Sequence, residues 1–267
     1  MKYIIVLMLS LSLLNCNSQN SNLPKVDKEK QQAIVDEYLT NCAHKYGYNL
    51  PEWQECIDKG LEKDSTIAYL WQQKAMPLFK ARKYEAGMVF IDKAVKYDEA
   101  RWLDYRAFIK CIFAKTYKEA IIDFEKCKLK VGNSYVMDHT YDFHIALSYL
   151  QLNDFVKAEE IFKKDTDDQV AKFGEAHHLD LFYYGISLYE QKRWEEAMVV
   201  FDRSLKQYSN FSDVKYYKAI CLARIGKTEE SKTLFVESKE DLENRFTINE
   251  DQIYYEMYPY QIEKLKK

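Results

Sequence analysis

The chain has 267 residues, 47% of them apolar and 30% charged, with a net charge of −3. That apolar content is enough for a folded core, and mixed charge without a dense basic run excludes a general nucleic-acid binder. Only 7 Gly and 4 Pro argue against a loop-rich β fold and for helices. In chain order, the first feature is Lys2 followed by an almost wholly apolar run from Tyr3 to Leu14. The run is too short to cross hydrocarbon about 30 Å thick as a helix, which takes about 20 residues, so residues 1–15 read as a signal peptide.

The run ends in Leu13-Leu14-Asn15-Cys16, which resembles the bacterial lipobox. Cys16 and Leu13 fit the pattern, while Asn15 is larger than the usual small residue; relaxed boxes of this kind are similar to those of Bacteroidota lipoproteins. The resemblance implies a lipidated Cys16 as the mature first residue and an exported, outer-membrane lipoprotein. Several acyl chains at about 0.8 kcal/mol per buried CH₂ make a stable anchor. No early acidic run resembling a surface-export signal follows Cys16, so a periplasm-facing orientation is expected. Residues 16–27, with the polar stretch NSQNSNLP, read as a flexible tether.

Residues 28–66 read as an N-terminal helical hairpin. Val35, Tyr38, Leu39 and Cys42 share one face of its first helix, and Trp53, Cys56, Ile57 and Leu61 one face of its second. Cys42 and Cys56 each lie seven residues from Asn49 in the turn, on faces that should oppose each other. They are the expected disulfide if the chain is exported to an oxidising compartment. Cys111 and Cys127 are a second conceivable pair, and Cys221 reads as a buried small residue.

Between 67 and 243 the chain repeats itself. Gly87, Ala120, Ala158, Ala197 and Ser231 stand 33, 38, 39 and 34 residues apart, four of them three residues after an aromatic: Tyr84, Tyr117, Phe155 or Trp194. Upstream of each is a second amphipathic helix with its own small residue: Ala75, Ala107, Ala146, Gly185 or Ala219. Apolar positions recur at i, i+3, i+4 and i+7 in both helices. Small residues let two antiparallel helices approach closely, and no such pair buries its face alone, so neighbours must stack.

These residues resemble the tetratricopeptide repeat (TPR) family: Trp71, Ala75, Ile91 and Ala94 in one repeat, Tyr149, Ala158 and Phe162 in another, Gly185, Ala197 and Phe201 in a third. The usual Pro after the second helix is missing throughout, and residues 128–138 and 165–174 read as insertions. The resemblance covers roughly residues 52–241 and implies an all-α fold, an α-solenoid of about six antiparallel hairpins in a TPR-like superhelix. Residues 244–267 break the period with Tyr254, Tyr255, Tyr258 and Tyr260 around Pro259. They are expected to cap the last hairpin, the alternative being a segment that folds into the groove as a pseudo-ligand.

Nothing points to catalysis. HExxH, GxSxG, GxxxxGK[ST] and GxGxxG are all absent, and the adjacent His177 and His178 would point about 100° apart on a helix, which makes them poor joint ligands. No enzyme, cofactor or metal is expected. The resemblance implies instead a concave face lined by the first helix of each hairpin. By register that face carries Tyr69, Gln72, Tyr105, Phe143, Leu150, Phe182, Tyr189, Tyr216 and Arg224, although aromatics early in these helices also serve the repeat's own packing. The expected function is a non-catalytic protein-interaction scaffold for envelope proteins or peptides. The alternative is a sensor or carrier holding a small or polymeric ligand in the groove.

Overall fold

Small residues decide how the helices of this chain pair. The computed structural model describes residues 27–263; the expected signal peptide, Cys16 and the tether up to residue 26 lie outside the described residues. Twelve α-helices pair as six antiparallel hairpins. They are α1 (Lys28–Val35) with α2 (Pro51–Lys63), α3 (Ala68–Lys80) with α4 (Tyr84–Tyr97), and α5 (Glu99–Phe108) with α6 (Tyr117–Val131). The last three pairs are α7 (Tyr141–Gln151) with α8 (Phe155–Phe173), α9 (His178–Glu190) with α10 (Trp194–Gln207), and α11 (Ser212–Arg224) with α12 (Thr228–Glu243). Each second helix packs on the first helix of the next hairpin, and the first helices of the last three hairpins touch one another. The chain is therefore the expected α-solenoid. Among the described residues no helix is long and apolar enough to cross a membrane.

Ala75, Ala107, Ala120, Ala146, Ala158, Ala197 and Ala219 have no exposed surface, and Ser231 is buried with its hydroxyl donating to the Ala219 carbonyl at 2.7 Å. Where even a methyl is too large, glycine is used. A Cβ on Gly185 would stand 2.4 Å from Cε1 of Phe201, itself fully buried. Gly185→Ala is expected to lower stability by about 2 kcal/mol through overpacking, read as a drop in the urea midpoint. An unchanged midpoint would mean that the Phe201 ring has room to move.

The turn inside each of the last five hairpins uses one left-handed residue. These are Arg82, Lys115, Asn153 and Lys192 at φ 57–62°, and Gly226 at φ 84°. Left-handed backbone at a non-glycine residue costs on the order of 1 kcal/mol, offset here by the helix packing that closes each turn. Helix starts are capped where the sequence offers an oxygen: Asp27, Asp98, Thr140 and Asp154 accept the backbone N–H three residues on.

The first hairpin has a small core of its own around Leu39, Trp53, Ile57 and Leu70, with Trp71 packed against both this core and the main one. Its first helix loosens into a π-turn at Asp36–Thr40 and a 3₁₀ turn at Ala43–Lys45. A disulfide joins Cys42 to Cys56, with Cα atoms 5.8 Å apart; Cys111, Cys127 and Cys221 are free and buried. The two insertions resolve differently. After α6, residues 132–140 form a small antiparallel pair, β1 (Tyr135–Val136) and β2 (His139–Thr140). The second insertion is no loop, because residues 165–173 extend α8 by helical turns until Gly174, at φ 86°, ends it.

Candidate functional site

The C-terminal segment covers the start of α11 in the last hairpin and does not stop there. It leaves α12 with the Phe246 carbonyl accepting from the Ser212 N–H at 2.8 Å, then runs along the side formed by the first helices and doubles back. On the outward path Asn249 meets His178 and Glu250 meets His139. At the far end, Arg82 donates to the Tyr255 carbonyl at 2.9 Å, and Lys80 lies over the Tyr255 ring. On the return, Tyr183 donates its hydroxyl to the Pro259 carbonyl at 2.8 Å, and Tyr260 donates to Glu190 at 2.7 Å and packs on Tyr217. One segment, with a 3₁₀ turn at Asp251–Tyr254, thus touches residues from four of the six hairpins and from β2.

Two carboxylates hold this excursion. Asp213, fully buried at the start of α11, accepts from the Thr247 hydroxyl (2.7 Å), the Ile248 N–H (3.2 Å) and, on its other oxygen, the Ile262 N–H (2.7 Å). One side chain thereby staples the outgoing and returning strands of the tail. Burial pushes its pKa up and those hydrogen bonds pull it back only in part. At the far end Glu256 accepts from Lys115 at 2.7 Å and from the Tyr84 hydroxyl, with Arg82 at 3.9 Å. Burial alone would raise Glu256; Lys115 and Tyr84 outweigh it and hold the carboxyl below its usual range. Arg82 and Lys115 are the left-handed residues of consecutive turns, so the repeat geometry itself presents these two cations at equivalent positions.

Midway lies a buried polar network that joins β2, α8, α9 and the tail. His139 Nδ1 meets Asp180 Oδ2 at 2.9 Å, and His139 Nε2 meets Glu250 at 3.3 Å. His177 Nδ1 reaches the same Asp180 oxygen at 3.2 Å. Gln169 donates to both Asp180 (2.9 Å) and Asp165 (3.0 Å). Burial by itself would strip the His139 proton; Asp180 and Glu250 reverse that and raise its pKa from 6.5 to about 10. Asp180, which burial alone would raise, is held well below the usual carboxylate range by His139 and His177.

A histidine whose folded pKa exceeds its unfolded one stabilises the fold fully below the unfolded value and loses that stabilisation as pH rises through the folded one. Stability is therefore expected to decline between pH 6.5 and about 10, and His139→Gln to flatten that limb in urea melts run at a series of pH values. An equally steep limb in the variant would mean that other groups set it.

The residues expected on the concave face are placed as follows. Phe143, Leu150 and Phe182 have no exposed surface, and Gln72 is buried. Phe143 packs on Phe162 and Tyr183, Phe182 packs on Phe201, Phe211 and Tyr217, and Gln72 meets Gln73. Tyr69 and Tyr105 both pack on Trp102. Tyr189 packs on Trp194 and Tyr217, and Tyr216 on Phe235, while Arg224 is exposed. The tail meets instead the next residue along at three of these places: Tyr183, Glu190 and Tyr217. One residue is about 100° on a helix, enough to exchange core for groove. A doubled aromatic, Phe182-Tyr183 or Tyr216-Tyr217, was the available signal for this register. Asp213 and the pairing of His139 with Asp180 had no local signal.

With this geometry in view, residues 181–210, covering most of α9 and all of α10, match the family model for the tetratricopeptide repeat. No curated protein matches the chain in sequence. Among solved structures it is similar to a TPR protein from Parabacteroides merdae ATCC 43184 at a TM-score of 0.61 and 11% identity, over 82% of this chain and 88% of that one. It is similar to PilF of Pseudomonas aeruginosa at a TM-score of 0.57 and 15% identity, over 82% and 93%. It is also similar to YrrB, a TPR protein with an unusual peptide-binding site, at 0.51 and 17%, over 72% and 94%. The chain therefore has the α-solenoid fold of tetratricopeptide repeat proteins, with the repeat at residues 181–210 also matching the family in sequence.

Proposed function

We infer that this chain is a non-catalytic protein-interaction scaffold, anchored in the bacterial envelope through lipid on Cys16 and facing the periplasm. Its docking surface is the side formed by the first helices. The observation that carries the reading is the seating of the chain's own residues 246–262 there, through backbone carbonyls, a carboxylate and tyrosines. A surface that seats a segment of this kind has what a partner peptide needs: cations for a carboxylate, hydroxyls for carbonyls, and aromatic faces. YrrB, of the same fold, has a peptide-binding site. Under this reading the partner is an extended protein segment with an acidic residue among aromatics, and it competes with the tail.

The test is a cross-linked pull-down of the full chain from its own cells, analysed by mass spectrometry. Glu256→Lys sets a cation against Arg82 and Lys115 and unseats the tail; it is expected to enrich a defined set of envelope proteins over the wild type. Adding Arg82→Glu and Lys115→Glu is expected to lose that set. If the three baits retrieve the same proteins, the surface is not the docking site.

A further inference from the structure

The polar network beside the tail has a second property that interaction scaffolding does not use. His139 Nδ1, His177 Nδ1 and Asp180 Oδ2 lie within 4.8 Å of one another, two of the sides being 2.9 and 3.2 Å. Tetrahedral zinc, with bonds of about 2.0–2.1 Å, needs donor atoms about 3.3 Å apart. The geometry points to a divalent-cation site of the zinc class, with His139, His177 and Asp180 as ligands, the ion taking the place of the proton that His139 Nδ1 shares with Asp180 and releasing it to solvent.

Three further features fit a metal site. Each ligand on a buried position has an outer partner that fixes it: Glu250 on the far nitrogen of His139, and Gln169 on the second oxygen of Asp180. A carboxylate behind a ligating histidine is the usual support for a metal-bound imidazole. A cavity of about 330 Å³ opens on the three ligands and is lined also by Tyr135 and Glu175, leaving an approach for the ion and room for a water as fourth ligand. Finally, the network holds an excess of acceptors. Asp180 and Glu250 both face the buried His139, and the second oxygen of Glu250 has no hydrogen-bond partner among the described residues. Two positive charges at this point balance Asp180 and Glu250.

The ligands come from β2 and from the start of α9, and the outer carboxylate from the tail, so a bound ion also ties the tail to β2 and to the fifth hairpin. The experiment uses the tag-free full chain, stripped with chelator. It is titrated with Zn²⁺ by calorimetry and with Co²⁺ by visible absorption, which reports tetrahedral coordination. One equivalent of each is expected to bind saturably, with the absorption bands of a four-coordinate cobalt site. His177→Gln, at a ring whose side chain is 42% exposed, is expected to abolish the cobalt bands while leaving the urea midpoint of the metal-free chain close to that of the wild type, and Glu250→Gln to weaken binding about tenfold. Absence of saturable binding by the wild type, or binding that His177→Gln leaves unchanged, overturns the site and leaves His139 with Asp180 as an ion pair alone. Neither result bears on the pull-down, which reads the surface at Arg82 and Lys115.

Discussion

Replacing Tyr258 by alanine should lower stability by about 3 kcal/mol, in the range for emptying a buried aromatic position. Its side chain is 3% exposed and belongs to the main core, although it lies beyond the last α-helix. The residue after it accepts a hydrogen bond from Tyr183, in the middle of α9. Loss of the ring therefore opens a cavity under the return strand of the tail and frees that buried hydroxyl. Two readouts are expected to move together: the urea midpoint falls, and limited proteolysis begins within residues 246–262. Tyr254, only four positions earlier, is 83% exposed; Tyr254→Ala should change stability by no more than about 0.5 kcal/mol. Equal effects at the two tyrosines would contradict the described path of the tail.

Asp180→Asn is the second large change, and we expect it to cost about 3 kcal/mol at neutral pH. The substitution keeps the shape and the carbonyl oxygen that Gln169 reaches, but removes the charge that compensates a fully buried His139. Removing one partner of a buried pair leaves the other uncompensated, which typically costs several kcal/mol. With only Glu250 left beside it, His139 should lose its proton at lower pH, so the decline of stability with rising pH should be smaller in the variant and end at a lower pH than in the wild type. Urea melts of both chains across neutral and alkaline pH check this. A variant as stable as the wild type at neutral pH would mean that His139 is neutral in the fold.

The repeating architecture was legible in the sequence because its cause is local. Each Ala or Gly that lets two helices meet, such as Gly185 against Phe201, recurs with its aromatic at a spacing that can be read along the chain. Cys42 and Cys56 were legible for the same reason, since a short hairpin brings them together. The tail was not. Arg82 and Tyr84 reach partners 173 and 172 positions away, and an aperiodic run of tyrosines does not say what it lies on. The groove was legible only to within one residue: choosing Phe182 over Tyr183, or Tyr216 over Tyr217, needs the helix rotation that packing alone sets. The histidines show the same limit. His177 and His178 draw notice as neighbours, yet His177 converges with His139, which an insertion after α6 carries into β2.

The tail and the surface beneath it share one chemistry: tyrosines, carbonyls and a carboxylate above, hydroxyls and two turn cations below. Glu256 is buried, with Lys115 at 2.7 Å and Arg82 at 3.9 Å, and loses this pairing if the tail leaves. Competition by a partner segment then depends on matching this site as well as the tyrosine contacts at Tyr183 and Tyr217.

The seating of the tail is tested most directly by zero-length carbodiimide cross-linking of the purified full chain, followed by mass spectrometry. The account predicts an amide between Lys115 and Glu256, at a yield similar to that between Lys215 and Asp241, a pair at 2.6 Å within the last hairpin. If the Lys215–Asp241 product forms and the Lys115–Glu256 product does not, the tail does not lie on the first-helix side in solution, and the docking surface loses its principal support.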